Sequence, residues 1–113
     1  MINAGVDIIL NSRFEKLIKD NVFLEKVFQT SELRDKRKLI GKFALKEAVM
    51  KALGKKINWK DIEISSIGQK PKIILNDGIK PEGFRCVEGS ISHDGDYTIA
   101  FVILESYKEK RKK

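Results

Sequence analysis

The feature that most constrains this chain is the stretch Gly41-Lys-Phe-Ala-Leu-Lys-Glu-Ala-Val-Met-Lys-Ala-Leu-Gly54. Apolar residues fall at Leu39, Ile40, Phe43, Ala44, Ala48, Val49, Ala52 and Leu53, the i, i+3, i+4, i+7 spacing of one buried helical stripe. Gly54 stops the pattern, as a helix-ending glycine does. Opposite the stripe stand Lys42, Lys46, Glu47 and Lys51. Glu47 and Lys51 are four apart and share a face. A carboxylate beside lysines on a helix otherwise committed to a core could hold a metal and an anionic substrate together. The same pair is also ordinary solvated-face chemistry, and the helix alone does not separate the two.

At 113 residues the chain has the length of one domain. With 42% hydrophobic residues it can bury a core, but a chain this short buries little of its surface deeply, so oligomerisation is expected. A formal charge of +7 and a pI near 9.5 point to an anionic partner: nucleic acid, a phosphorylated small molecule or an acidic protein. Part of that charge sits in Lys108-Glu-Lys-Arg-Lys-Lys113, expected to be a solvated tail. The domain is therefore placed at 1–105 and the tail at 106–113. The single cysteine, Cys86, excludes an internal disulfide framework and a multi-cysteine metal site. It lies in an apolar-alternating run and is expected to be buried. No apolar run has the length of a membrane span and no signal peptide is evident, so a cytoplasmic location without membrane attachment is expected.

In chain order, Ala4–Leu10 alternates as a strand, with Asp7 the odd residue, since a strand carboxylate needs a partner, a metal or an exposed edge. Asn11 and Ser12 predict a helix start near Arg13. Phe14, Leu17 and Ile18, then Phe23, Leu24, Val27 and Phe28, mark further helical turns. Thr30-Ser-Glu32 is a second cap signal, from which the central helix is expected to run to Leu53 through the charged stretch Asp35 to Lys38. After Gly54, Trp59–Ile64 alternates as a strand and Gly68–Pro71 as a turn. Lys72–Leu75 is a strand closed by Asn76-Asp-Gly78. A final hairpin joins Phe84–Ser92 to Tyr97–Leu104 with Asp94-Gly95 as its turn. Ile99, Phe101 and Ile103 form one apolar face of the last strand, and Ala100, Val102 and Leu104 the other, which predicts a central strand or one at a subunit interface. The fold class is α+β, a mostly antiparallel sheet packed on a long central helix.

Few residues can carry chemistry. The only histidine, His93, sits at the rim of the hairpin. There is no cysteine–histidine cluster for zinc and no glycine-rich phosphate loop. Two carboxylates, Asp7 and Glu47, remain beside a lysine-rich helix. Oxygen ligands with water suit magnesium, which bridges protein carboxylates to substrate phosphates.

Gly5-Val-Asp7 on a first strand, the Gly41–Gly54 helix, and Ser90-Ile-Ser-His93 before a long last strand resemble the holo-[acyl-carrier-protein] synthases. These are the single-domain branch of the 4'-phosphopantetheinyl transferase superfamily. Trp59-Lys-Asp-Ile-Glu63 and Gln69-Lys-Pro71 resemble its middle region, and the resemblance runs from Ala4 to about Glu105. It implies transfer of the phosphopantetheine arm of coenzyme A to a serine of an apo acyl carrier protein, leaving adenosine 3',5'-bisphosphate. Asp7 and Glu47 match magnesium ligands, and Lys51 and Glu47 match catalytic positions. Lys42, Lys46, Lys51, Gly54, Ser92 and His93 match positions that hold coenzyme A, and Arg13 would face the carrier protein. A homotrimer with coenzyme A between neighbouring subunits is also implied. Three departures stand out: Lys42 where arginine is frequent, Lys55-Lys-Ile-Asn58 where many members have a glycine-rich turn, and a short stretch from Gly68 to Gly89. The competing readings are a small basic nucleic-acid-binding domain, which no strand aromatic pair supports, and an inactive relative that only binds coenzyme A or carrier protein.

Overall fold

The computed structural model describes residues 1–107; the basic run from Lys108 onward, expected to form the tail, lies outside them. The elements are β1 (Ile2–Leu10), α1 (Asn11–Leu17), α2 (Asn21–Val27), α3 (Leu39–Leu53), β2 (Ile62–Ile67), β3 (Lys70–Leu75), β4 (Phe84–Asp94) and β5 (Tyr97–Ser106). β5 is the centre of an antiparallel three-stranded sheet in the order β1-β5-β4, and β2 and β3 form a separate hairpin. The expected α+β architecture is thus observed, with the sheet divided in two. Because β5 continues through Ser106, the folded part extends past the boundary drawn at 105.

α3 is the axis of the molecule. Ala44, Leu45, Ala48, Val49 and Ala52 are buried against Ala100, Val102 and Leu104 of β5 and Ile62, Ile64, Ile73 and Leu75 of the hairpin. Full burial of a residue such as Leu45 contributes about 1.5–3 kcal/mol. The N-terminal half of α3 rests on a second cluster of Phe14, Leu24, Val27, Phe28 and Leu39. Phe43 stacks on Trp59 at 5.1 Å between ring centroids. At its C-terminus, Gly54 takes φ +73°. Gly54 N–H donates to the Lys51 carbonyl and Lys55 N–H to that of Met50, closing the helix as a Schellman motif.

Several expectations are corrected. The central helix begins at Leu39 rather than Thr30, because the preceding residues form two short 3-10 turns, Thr30–Arg34 and Lys36–Lys38, separated at Asp35. Asp35 stays extended and caps the second of them through Arg37 N–H, which breaks the helical path. α1 begins at Asn11 without a side-chain cap, and it is Asp20 that caps α2 by accepting from Val22 N–H at 2.9 Å. Lys70 and Pro71 belong to β3, leaving Gly68-Gln69 as the turn. Asp94 pairs with Tyr97, so the last turn is Gly95-Asp96, with Gly95 at φ +57° as a type II' turn requires. Cys86 is exposed rather than buried.

β1 turns its glycine and its carboxylate, not its large apolar residues, toward the helix. Val6 and Ile8 point outward, 53% and 60% exposed, while Gly5 and Asp7 face the helix. The reason is Gly5: a Cβ there would overlap the Ala48 carbonyl oxygen and stand 2.8 Å from Ala52 N. Only a glycine lets the strand approach α3 this closely. No described helix is long and apolar enough to cross a membrane.

Candidate active site

The close approach at Gly5 places Asp7, two residues along the same face, over the helical turn that carries Glu47 and Lys51. The Lys51 ammonium donates to Asp7 Oδ1 at 3.2 Å and to the Val6 carbonyl at 3.0 Å. Asp7 is nearly buried in this contact, whereas Lys51 remains more than half exposed. Burial, and then the charge of Asp7, push the Glu47 carboxyl above its ordinary pKa, against the opposing pull of Lys51 and Lys56. Two carboxylates from different elements therefore share one small, partly desolvated region with one lysine.

This region opens into a cleft of about 930 Å3 lined by Lys26, Glu47, Met50, Lys51, Gly54 and the segment Lys55–Trp59. Gly54 lies at its edge because the helix-ending turn leaves no side chain there. Lys26, Lys55, Lys56 and Trp59 were not among the site residues expected from the sequence. The consecutive lysines after the terminal glycine were the available signal for two of them. Lys26 and Trp59 give none, since they reach the cleft only through the packing of α2 and the loop after α3.

His93 and Lys42 lie elsewhere. They line a second cavity, of about 320 Å3, with Arg37, Lys38, Gly41, Ser66, Gln69 and Ile91, and this cavity shares no residue with the first. His93 Nδ1 is 2.8 Å from the Thr98 hydroxyl, which donates to Asn11 Oδ1 at 2.7 Å. With the Thr98 hydroxyl donating to Asn11, it can accept from an Nδ1–H of His93, the tautomer that leaves Nε2 for a ligand. Ser92 is exposed next to it in β4, and Arg13 is exposed on α1 outside both cavities.

Lys46 departs from its expected place along the phosphates. It is fully buried, and its ammonium donates to Glu32 Oε1 and to the Val27 carbonyl, both at 2.7 Å, and to the Trp59 carbonyl at 3.3 Å. All three donors are used inside the protein. Burial lowers the Lys46 pKa from the ordinary lysine value, while the hydrogen bond and charge of Glu32 act the other way. Lys42 is mostly buried too, with Nζ donating to the Glu32 carbonyl at 3.1 Å.

A family model for the 4'-phosphopantetheinyl transferase superfamily matches residues 3–102. A holo-[acyl-carrier-protein] synthase of Helicobacter pylori is 38% identical over 117 residues, covering 93% of this chain and 98% of the relative. One from Clostridium perfringens is 37% identical over 126 residues, covering 93% and 94%. Among solved structures, Helicobacter pylori holo-[acyl-carrier-protein] synthase in complex with coenzyme A superposes with a TM-score of 0.79 at 36% identity, over 93% of this chain and 100% of that one. The synthase from Neisseria meningitidis superposes with a TM-score of 0.81 at 27% identity, over 94% and 100%. With the family model, the identity over nearly the whole length of both chains and the overall fold in agreement, the chain belongs to the holo-[acyl-carrier-protein] synthases of the 4'-phosphopantetheinyl transferase superfamily.

Proposed function

We propose that this protein moves the 4'-phosphopantetheine arm of coenzyme A onto a serine of an apo acyl carrier protein, with magnesium, releasing adenosine 3',5'-bisphosphate. The observation that carries this reading is the meeting of Asp7 with Lys51 and Glu47, the latter two lining a lysine-rich cleft. The donor set fits magnesium: two hard carboxylates, one of them pressed toward protonation by burial and by the other, and no third His, Cys, Asp or Glu grouped with them among the described residues. Magnesium is held in this way by one or two carboxylates, with substrate phosphates and water completing its shell. When bound, it would supply positive charge to the pyrophosphate.

The chain's own residues then divide the work. Asp7 and Glu47 would hold the metal. Lys26, Lys55 and Lys56 would draw the polyanionic substrate into the cleft. The serine oxygen bonds to the phosphorus that bears the pantetheine arm. The bond from that phosphorus to the bridging oxygen breaks, and its electron pair leaves with adenosine 3',5'-bisphosphate. Lys51 already donates to two oxygens, so it acts as a charge donor toward the departing phosphate, and the serine proton passes to water. Such a displacement needs positioning and charge neutralisation more than covalent help.

We also assign the outer face of the three-stranded sheet to contact between copies, as a homotrimer. Val6, Ile8, Phe101 and Ile103 are exposed there, with Val6 opposite Phe101 and Ile8 opposite Ile99. A contiguous apolar face of this kind marks an interaction surface. A site between copies also accounts for His93 and Lys42, which line a different cavity from Asp7 and Glu47 within one chain. Exposed Arg13 would meet the acidic carrier protein.

The direct test is intact-mass measurement of an apo carrier protein incubated with this protein, coenzyme A and magnesium. A gain of one phosphopantetheine arm, lost on chelation, is the expected result. No gain, with coenzyme A still bound, would replace the reading with that of a binding relative.

A further inference from the structure

The transfer reaction leaves Glu32 and Lys46 without a task, since both side chains are fully buried and neither faces the cleft. Their contacts nevertheless surround it. The floor, Glu47 and Lys51, is on α3; one wall, Lys26, is at the end of α2; the other is the segment from Lys55 to Trp59. Lys46 extends from α3 and donates to the carbonyls of Val27, next to Lys26, and of Trp59. The Val27 carbonyl belongs to the last turn of a helix, where carbonyls lack intrahelical partners and a cation is favourable. Glu32 completes the junction. Its Oε1 accepts from Lys46 Nζ and from Gln29 N–H, and its Oε2 accepts from Ile64 N–H at 2.8 Å, which ties in the strand that follows Trp59.

We propose that the Glu32–Lys46 pair is a positioning element of the cleft, a clamp that sets both walls relative to the helix bearing Glu47 and Lys51. Apolar side chains of similar volume fill such space as stably as a buried ion pair does. What they do not supply is direction. Three N–H donors of one ammonium, aimed at acceptors on three separate segments, fix the distances between those segments. The clamp deepens the proposed function only through its kinetic readout.

Trp59 is the only tryptophan in the chain, so its fluorescence reports one wall directly. The variants are Lys46→Met and the double variant Glu32→Gln/Lys46→Met, which removes both charges and leaves no unpaired ion in the interior. In whichever variant keeps the wild-type far-UV circular dichroism, the clamp predicts a rise in acrylamide quenching of Trp59. It also predicts a KM for coenzyme A raised about tenfold with kcat reduced less than about threefold, the pattern of lost substrate binding. A folded variant with wild-type quenching and wild-type KM overturns the proposal. If neither variant folds, hydrogen exchange of the wild-type protein decides: the Gln29 and Ile64 amides held by Glu32 must exchange as slowly as the core of α3, and loop-like exchange overturns the clamp. Quenching and exchange need no substrate. A wild-type protein without transfer activity would therefore count against the proposed function, while fluorescence still judged the clamp.

Discussion

Substituting Gly5 by alanine tests the link between packing and chemistry most sharply. The added methyl has no room: it overlaps the Ala48 carbonyl oxygen and lies 2.8 Å from Ala52 N, both backbone atoms of a helix that is buried on this side. Carbon contacts settle near about 3.5 Å, so β1 must leave α3 by on the order of 1 Å. Overpacking of this kind costs about 1–3 kcal/mol, and each kcal/mol lowers the melting temperature of a domain this size by about 4–8 °C. Asp7 travels with the strand, away from Glu47 and Lys51. A misplacement of about 1 Å at a reacting centre costs about 10²-fold in rate, which is about 2.7 kcal/mol of transition-state stabilisation. The comparison variant is Gly68→Ala. Unlike Gly5, Gly68 has a positive φ, +63°, with open space around it, at the tip of the hairpin of β2 and β3. It carries a backbone penalty of about 1–2 kcal/mol and no displacement of Asp7. Transfer measured by the mass gain of the carrier protein, beside a thermal melt, should show both variants destabilised and only Gly5→Ala slowed about a hundredfold. Gly5→Ala with wild-type transfer would refute the argument that this approach positions the site.

Asp7→Asn and Glu47→Gln should each leave the melting temperature close to wild type and reduce transfer by about 10²-fold or more, because the metal charge on the pyrophosphate is worth several kcal/mol; full activity in either variant would sink the metal assignment. Lys51→Met should cost less than about 1 kcal/mol of stability, since more than half of the Lys51 side chain is in solvent, yet slow transfer at saturating coenzyme A; an unchanged kcat would remove Lys51 from the reaction. Phe101→Glu places a charge at the middle of the exposed apolar face, 45% exposed and opposite Val6. Sedimentation should then show monomers and transfer should fall, whereas an unchanged assembly would locate the contact elsewhere.

The local terms of this fold were readable in the sequence. The 3.6-residue spacing from Leu39 to Leu53 and the stop at Gly54 identify the central helix, and the four-residue spacing of Glu47 and Lys51 places them on one face. Alternation identifies the strands around Ile62 and Tyr97, and the doubly apolar last strand is central as expected. Asp7 was conspicuous because a strand carboxylate is costly without a partner, and the partner it has is Lys51. What went unread depends on contacts between residues distant in sequence. Lys46 looks like any polar helix position; its burial comes from Glu32, fourteen residues earlier, and from carbonyls of Val27 and Trp59 that only the packed chain brings together. The outward turn of Val6 and Ile8 is likewise invisible to hydropathy, which places such residues inside.

The periodicity of the central helix and the shared face of Glu47 and Lys51 are properties of the sequence itself, because they depend on residues within a turn or two of one another. Which lysines face the cleft and which hold the interior together, and which side of β1 meets the helix, were settled only by tertiary packing. The physical reason is steric and electrostatic at once. A backbone approach that only Gly5 permits sets the register of strand on helix, and a buried ammonium must find its three acceptors wherever the folded chain supplies them.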